Sequence, residues 1–493
     1  MNKSNGYSNI FKATFLFAIV RVVLILNKII LNKFISVFMG PSGFGLIGIY
    51  QSTINLISTI SSFGIYQSAI RDIAEVNESK DELKISKLIT LTNNLIFYTA
   101  LFGLLLTIIF SSYFSMWSFG SKQFQFSIIL LSLAVFFQIL TEGQLSILKG
   151  KRLLKSLAKA NIYGSIFSLL ICLPVYYFYG NRGIVPSLVM IALILFLFSN
   201  YFVNKIDYKK LKLSFSYCIK EGSQIVKMGL SLMYVSLTLI LCDYLIKAFI
   251  LNFSNIEMVG FFQAGSTIVG GYFLVFTNAM TTEYYPRISS FNHDNHKLSQ
   301  EVNKQSLVGL VLLGPLVVIF LFFMPYLIKL LFSAKFLVSI NYITYAILAV
   351  IILSCSNTMS MVLLAKQNSK IFLFTVTISR SILIVSSYYG YQYYGLNGLG
   401  FAYLLYSICD IFIMQITLSY FFKIYLKLTT ILILLKNLIL CILTLATLSI
   451  PSLEIRWAIG LLLVLISGLH SFRVVKNNMK IDLLKILKEK INK

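Results

Sequence analysis

Apolar runs of roughly twenty residues follow one another along the whole chain, each long enough to cross a hydrocarbon core of about 30 Å as a helix. Short polar segments separate them. The pattern predicts fourteen spans: 12–38, 44–69, 86–110, 124–148, 157–178, 184–204, 228–251, 257–283, 306–326, 337–364, 371–389, 397–422, 429–449 and 456–473. Strand-length alternation of apolar and polar residues is absent, which argues against a membrane barrel. The first run is long, carries charges and lacks a small-residue cleavage site. It is therefore expected to stay as a helix and not to be removed as a signal peptide.

The basic residues orient these spans. With the N-terminus placed in the cytoplasm, the segments on that side carry 32 of the 42 Lys and Arg residues. The opposite loops carry five, Lys122, Arg182, Lys329, Lys335 and Arg456. Such asymmetry is what the positive-inside rule produces, and it predicts an even number of spans with both termini inside. Composition agrees, since 58% of the 493 residues are hydrophobic and only 12% are charged. The net charge of +25 would suggest nucleic-acid binding in a soluble protein, but topology accounts for it here, and no nucleic-acid partner is expected. Loops are short on both sides, leaving no room for a folded catalytic domain. The six cysteines form no paired or metal-ligand spacing. The tail from Lys476 sets Ile481, Leu484, Leu487 and Ile491 on one face among lysines. It reads either as a helix lying on an anionic leaflet or as a frayed basic tail.

The chain resembles itself at a displacement near 215. Gly48-Ile49-Tyr50-Gln51-Ser52 returns as Gly260-Phe261-Phe262-Gln263-Ala264, and Tyr179-Gly180-Asn181-Arg182-Gly183-Ile184 returns as Tyr394-Gly395-Leu396-Asn397-Gly398-Leu399. Turns at Lys149 and Lys366 also correspond. Six helices separate the copies, so both copies have the same orientation, the parallel-repeat plan of transporters. The predicted fold is an all-α polytopic membrane protein of about 14 transmembrane helices. Two pseudo-twofold-related six-helix lobes, 1–215 and 216–425, precede two further helices at 426–475 and a basic tail at 476–493.

Five cations remain inside the spans: Arg21, Lys28, Lys33, Lys247 and Arg380. Each costs about 2.5–3.5 kcal/mol near a helix centre on insertion scales, so such residues face a bundle interior or an aqueous cavity. Thr14, Arg21 and Lys28 are seven residues apart and share a face of the first helix, which offers no acidic partner. Asp243 and Lys247 are one turn apart, and Arg380 and Asp410 sit mid-span in consecutive helices. One reading is a cationic cavity for a phosphorylated substrate. In the other, Asp243–Lys247 and Arg380–Asp410 are structural ion pairs, and Lys28 and Lys33 extend to the interface.

Several letter patterns carry less. Gly43-x-Gly45-x-x-Gly48 matches the dinucleotide fingerprint, but no strand precedes it, so it reads as a turn with close helix packing. His293 and His296 lack further ligands, no phosphate-binding loop motif occurs, and no nucleophile–base set is placed for catalysis. No metal, cofactor or enzymatic activity is expected. The tyrosines at 388, 389, 391, 393 and 394 read as an interfacial belt, with stacking on sugars as the alternative.

The segment Met39-Gly40-Pro41-Ser42-Gly43-Phe44-Gly45-Leu46, with Ser62-Phe63-Gly64-Ile65 and Arg71 after it, resembles the Wzx-type O-antigen and polysaccharide flippases. These belong to the multidrug/oligosaccharidyl-lipid/polysaccharide exporter superfamily. Val259-Gly260-Phe261-Phe262-Gln263-Ala264 and Met280-Thr281-Thr282-Glu283-Tyr284-Tyr285-Pro286-Arg287-Ile288-Ser289 carry the same resemblance. The resemblance implies two six-helix lobes in a V-shaped bundle in the bacterial inner membrane. It implies alternating-access transfer of an undecaprenyl-diphosphate-linked oligosaccharide, such as an O-antigen or capsular repeat unit, for lipopolysaccharide or capsule biosynthesis. Arg21, Lys28, Lys247 and Arg380 are then substrate-binding cations. Asp243 and Asp410 are either ion-coupling carboxylates or structural partners. The implied partners are the lipid-linked substrate, membrane lipids, a polysaccharide polymerase and a chain-length regulator. A cation-coupled multidrug antiporter of the same fold is the first alternative. A membrane polymerase or ligase is the second, and the chain lacks the large outer loop that such enzymes commonly use. Fourteen helices, where many flippases have about twelve, is similar to the lipid II flippases.

Overall fold

The structure, a computed structural model, describes residues 3–78, 81–273, 284–285, 287–366 and 368–479. All regular structure among them is helical. The helices are α1 (Lys3–Phe38), α2 (Gly40–Ser61), α3 (Ile65–Glu78), α4 (Glu82–Ile109), α5 (Ser111–Phe119), α6 (Gln125–Gly150), α7 (Leu154–Tyr179), α8 (Ile184–Asn204), α9 (Phe215–Phe253), α10 (Ile256–Ser266), α11 (Asn295–Leu331), α12 (Ile340–Ala365), α13 (Ser369–Phe422), α14 (Leu428–Thr447) and α15 (Leu453–Val474). Nine stretches of described residues are long and apolar enough to cross a membrane. Two of them, Leu154–Asn204 and Ser369–Phe422, run to 51 and 54 residues and each holds two predicted spans. The predicted first, second and eighth spans fall on α1, α2 and α10, outside those nine stretches. The predicted tail helix beyond Met479 lies outside the described residues.

Local chemistry sets the boundaries. Pro41 occupies the first turn of α2, where its missing N–H is not needed. Asp81, Ser214 and Asn368 cap α4, α9 and α13 by accepting from the backbone N–H of Lys84, Tyr217 and Ile371. The Lys84 amide also holds the Asp81 carboxyl below its usual range. Gly120 closes α5 in the left-handed conformation. The second predicted span is not continuous. Phe63 and Gly64 both have positive φ, and they separate α2 from α3. The eighth changes from α-helix to π-helix at Thr267–Phe273, and its remainder to residue 283 is outside the described residues.

Contacts divide the chain into one unit of Met1–Phe261 with Leu331–Lys335, and a second of Phe262–Leu330 with Phe336–Lys493. In the first unit, Ala69, Ile73, Ile89, Ile147, Leu148 and Val203 form a continuous core among α3, α4, α6 and α8. Membrane helices gain little from apolar association alone, so small residues that let backbones touch carry much of the packing. A Cβ on Gly260 would stand 1.9 Å from the Pro41 carbonyl oxygen, and one on Gly45 2.2 Å from that of Ile256. The glycine pattern at 43–48 is thus a helix-crossing device, as its place at a turn implied. Likewise a Cβ on Gly64 would lie 2.0 Å from the Gly229 carbonyl oxygen, seating the α2–α3 break against α9.

In the second unit, α13 folds back on itself at Gly395, whose φ of 56° and ψ of −136° no side chain tolerates well. Gly390 and Gly398 touch across the hairpin, where a Cβ on Gly398 would come within 1.8 Å of the Gly390 carbonyl oxygen. The repeat-equivalent turn between α7 and α8 has Gly180 at φ 51° and ψ −131°. The two sequence-matched turns therefore share one backbone conformation. The tyrosines of the predicted belt divide: Tyr391 is buried, whereas Tyr389, Tyr393 and Tyr394 are exposed.

Candidate functional site

The site grows from a polar stripe along α2. Ser52, Asn55, Thr59 and Ser62 recur at helical spacing and share a face. At one end of the stripe, Lys247 of α9 is buried, 4% exposed, and its ammonium is fully engaged. It donates to Asp243 Oδ2 at 2.6 Å, to Ser52 Oγ at 2.6 Å and to the Gly48 carbonyl at 3.4 Å. An ammonium has three donors, so none is left over. Ser52 has one hydrogen, which reaches the Asp243 carboxylate at 2.7 Å or the Gly48 carbonyl at 2.9 Å. The Asp243 side chain is 39% exposed, so the accessible side of this neutral pair is the carboxylate.

Lys28 of α1 lies within electrostatic range of Lys247. It is exposed, and among the described residues it has no hydrogen-bond or ion-pair partner. It stands ten residues from the end of α1, about 15 Å along the axis, well inside a span. The Arg21 side chain lies outside the described ones. Lys33 does not extend to an interface, because its ammonium donates to the Phe332 carbonyl.

Farther along α2, Asn55 accepts from Gln51 and from Gln138 of α6, both at 3.1 Å. Beyond it, Ser58, Thr59, Ser62, Tyr66 and Gln138 surround Glu142 in a polar pocket of about 30 Å³, large enough for a water molecule. Glu142 is a span-embedded carboxylate outside the set of cations and partners that the sequence pattern singles out. Its signal in the sequence is a charge six residues from the end of the apolar run 124–148.

The second unit holds its own charged group. Arg380 and Asp410 each lie fifteen residues from Gly395, one on each arm of the α13 hairpin. The Arg380 guanidinium sits over the Tyr406 ring, 5.1 Å from its centre. Asp410 is buried and accepts from the Ser356 hydroxyl of α12. Tyr403 is within electrostatic range of both charges. The structure thus brings Lys28, Asp243 and Lys247 together in one unit, and Arg380 and Asp410 around two tyrosines in the other. Among the described residues no group of three metal-ligating side chains occurs.

A family model described as polysaccharide biosynthesis protein matches residues 35–341, well over half of the chain. The chain belongs to this family. Its fold is similar to that of the lipid II flippase MurJ in an inward closed conformation, with a TM-score of 0.71 at 14% identity, covering 96% of this chain and 100% of that one. It is also similar to an inward-facing multidrug resistance MATE transporter of the MOP superfamily, with a TM-score of 0.63 at 15% identity and coverage of 82% and 98%. A MOP superfamily transporter from Pyrococcus furiosus, described as having reversed binding-pocket polarity, gives a TM-score of 0.57 at 12% identity and coverage of 83% and 96%. No curated protein matches the chain. The resemblance to the exporter superfamily therefore stands, as does the all-helical fold. This is a multi-pass membrane protein of polysaccharide biosynthesis with the MurJ and MATE fold.

Proposed function

We propose that the protein is a flippase that moves an undecaprenyl-diphosphate-linked oligosaccharide across the bacterial inner membrane by alternating access. One observation carries this reading: Lys28 is an exposed ammonium at membrane depth with no counter-ion among the described residues, beside an ion pair that is already neutral. A cation there is costly unless it meets an anion, and the diphosphate of a lipid-linked glycan supplies one. Arg21, one heptad earlier on the same face, is the second contact. Lys247 contributes positive potential while holding Asp243 and Ser52 in place. Arg380 plays the corresponding part in the second lobe, stacked on Tyr406. The protein performs transport without covalent chemistry, and both termini face the cytoplasm.

The exposed Asp243 carboxylate favours a second reading, in which the same fold exports a cationic compound. One experiment separates the two. Lys28→Gln and Arg21→Gln, singly and together, are introduced at matched expression, and surface polysaccharide and resistance to cationic drugs are measured. The proposal expects at least a tenfold loss of polymer in the double variant, roughly the value of one charge-assisted contact. Normal polymer with altered drug resistance would transfer the function to the second reading.

A further inference from the structure

A separate cavity of about 550 Å³ lies in the first unit, at the end of the bundle that carries the basic loops. It is bounded by residues 90–97 of α4, 136–144 of α6, the end of α8 at 196–204, and residues 208–211. Its size falls in the range of small-molecule sites. Its lining is unusual for a membrane protein, because five side-chain amides converge on it: Asn93, Asn94, Gln144, Asn200 and Asn204. Their internal bonding is thin, and Asn94 donates to the Cys218 sulfur at 3.6 Å. Gln144 donates to Asn93 at 3.3 Å, and Asn93 donates to the Tyr208 hydroxyl at 3.2 Å. The Gln144 carbonyl oxygen is buried without a hydrogen-bond partner. Asn200 and Asn204, one turn apart, have no side-chain partner among the described residues.

A buried polar atom without a partner is expensive, and the Gln144 carbonyl oxygen, with the half-buried Asn200 and exposed Asn204 amides free beside it, points to a ligand that satisfies them. No carboxylate lines the cavity, so a cationic ligand is not selected. Lys210 at the rim is the only cation, too little for a site built around bare phosphate. Amides present paired donors and acceptors, which match vicinal hydroxyls. Phe97, Phe136, Phe137 and Phe196 offer flat apolar faces alongside. Alternating hydroxyl and C–H faces are the surface of a polyol. We propose that this cavity binds the hydroxylated headgroup of a lipid at the inner boundary, with Lys210 facing the phosphate that joins headgroup to tail. The site is distinct from the α2 stripe. Gln144 lies about 120–160° around α6 from Gln138 and Glu142, which face that stripe.

Two sources offer this chemistry, the sugar of a lipid-linked saccharide and the glycerol of phosphatidylglycerol. Native mass spectrometry of the full chain in detergent distinguishes them. The probes are undecaprenyl diphosphate with and without one N-acetylglucosamine, phosphatidylglycerol and phosphatidylethanolamine. The expected result is a sugar-dependent gain in affinity of about tenfold, the value of one or two well-made hydrogen bonds. This gain is lost in the N93L/N200L variant and kept in K28Q. Because the buried amides affect packing, N204W provides a second variant. It fills the cavity from an exposed position and abolishes the gain without disturbing Asn93 or Gln144. Preference for phosphatidylglycerol over phosphatidylethanolamine, lost in the same variants, would support the site with glycerol as its occupant. No discrimination within either probe pair, or discrimination that survives N204W, would overturn the proposal. K28Q reports separately on the diphosphate reading, through affinity for the bare undecaprenyl diphosphate.

Discussion

Removing either member of the Asp243–Lys247 pair should have unequal effects, because the two partners are buried to different extents. Asp243→Asn leaves an ammonium that is 4% exposed facing neutral partners. Breaking a fully buried pair from one side costs about 3–5 kcal/mol, but Lys247 retains Ser52 and the Gly48 carbonyl, and Asp243 was partly solvated. The expected loss is therefore about 2–3 kcal/mol. Lys247→Met removes the buried charge itself and leaves a 39% exposed carboxylate that still accepts from Ser52. That loss should be about 1 kcal/mol, in the range of a screened pair. The difference corresponds to roughly tenfold in the folded-to-unfolded ratio. Reversible unfolding in mixed detergent–SDS micelles, followed by circular dichroism, measures both variants. The double variant Asp243→Asn with Lys247→Met should recover to within about 1 kcal/mol of the parent. If Lys247→Met is the more destabilised single variant, the ammonium is not the member that needs its partner, and the reasoning fails.

Four other outcomes are expected. Gly260→Ala should lower stability by about 1–3 kcal/mol, because its Cβ meets the Pro41 backbone and not a movable side chain; unchanged unfolding would show that α2 and α10 separate easily. Gly180→Ala and Gly395→Ala have open space around the new Cβ, so each should lose about 1–3 kcal/mol from backbone strain alone, and the two losses should match. Asp410→Asn should reduce the folded yield by removing the carboxylate that shares Tyr403 with Arg380, while Arg380→Gln added to it should restore yield; a double variant no better than either single would make the two charges independent. Single cysteines at 71, 209 and 297 in a cysteine-free background should resist an impermeant thiol reagent in intact cells, and rapid labelling at any of them would reverse the topology.

The sequence made the helical segments legible because their apolar runs are long and their ends are marked by glycine, proline and capping residues. It also pointed to Asp243 and Lys247, since residues four apart on a helix meet without tertiary information. Their further partners, Ser52 and the Gly48 carbonyl, are nearly two hundred residues away, and no local spacing reports such contacts. The break at Phe63–Gly64 was hidden by a hydrophobic run that continues across it. A positive φ at phenylalanine is set by the seat against Gly229, which is a tertiary constraint. Glu142 and the amides at 93, 94, 144, 200 and 204 were visible as letters. They carry no formal positive charge and so do not stand out among the cations, although neutral amides inside apolar spans are themselves costly and informative.

The α13 hairpin has a consequence for how the chain enters a bilayer. Its two arms are joined by a glycine turn, and Arg380 and Asp410 stand equally far from it, about 22 Å along each arm. An antiparallel pair of helices closed at that turn carries its two opposite charges at one level before any neighbouring helix is present. The hairpin can therefore cross the interface as a single inserting body whose charges travel together with Tyr403 and Tyr406. Entering one at a time, the arms would expose each charge alone to hydrocarbon. The same turn conformation at Gly180 makes α7 and α8 a second preformed hairpin, without the charges. Paired insertion thus depends on one glycine in each hairpin, and a longer or more flexible turn at residue 395 would slow membrane integration of this segment more than the corresponding change at residue 180.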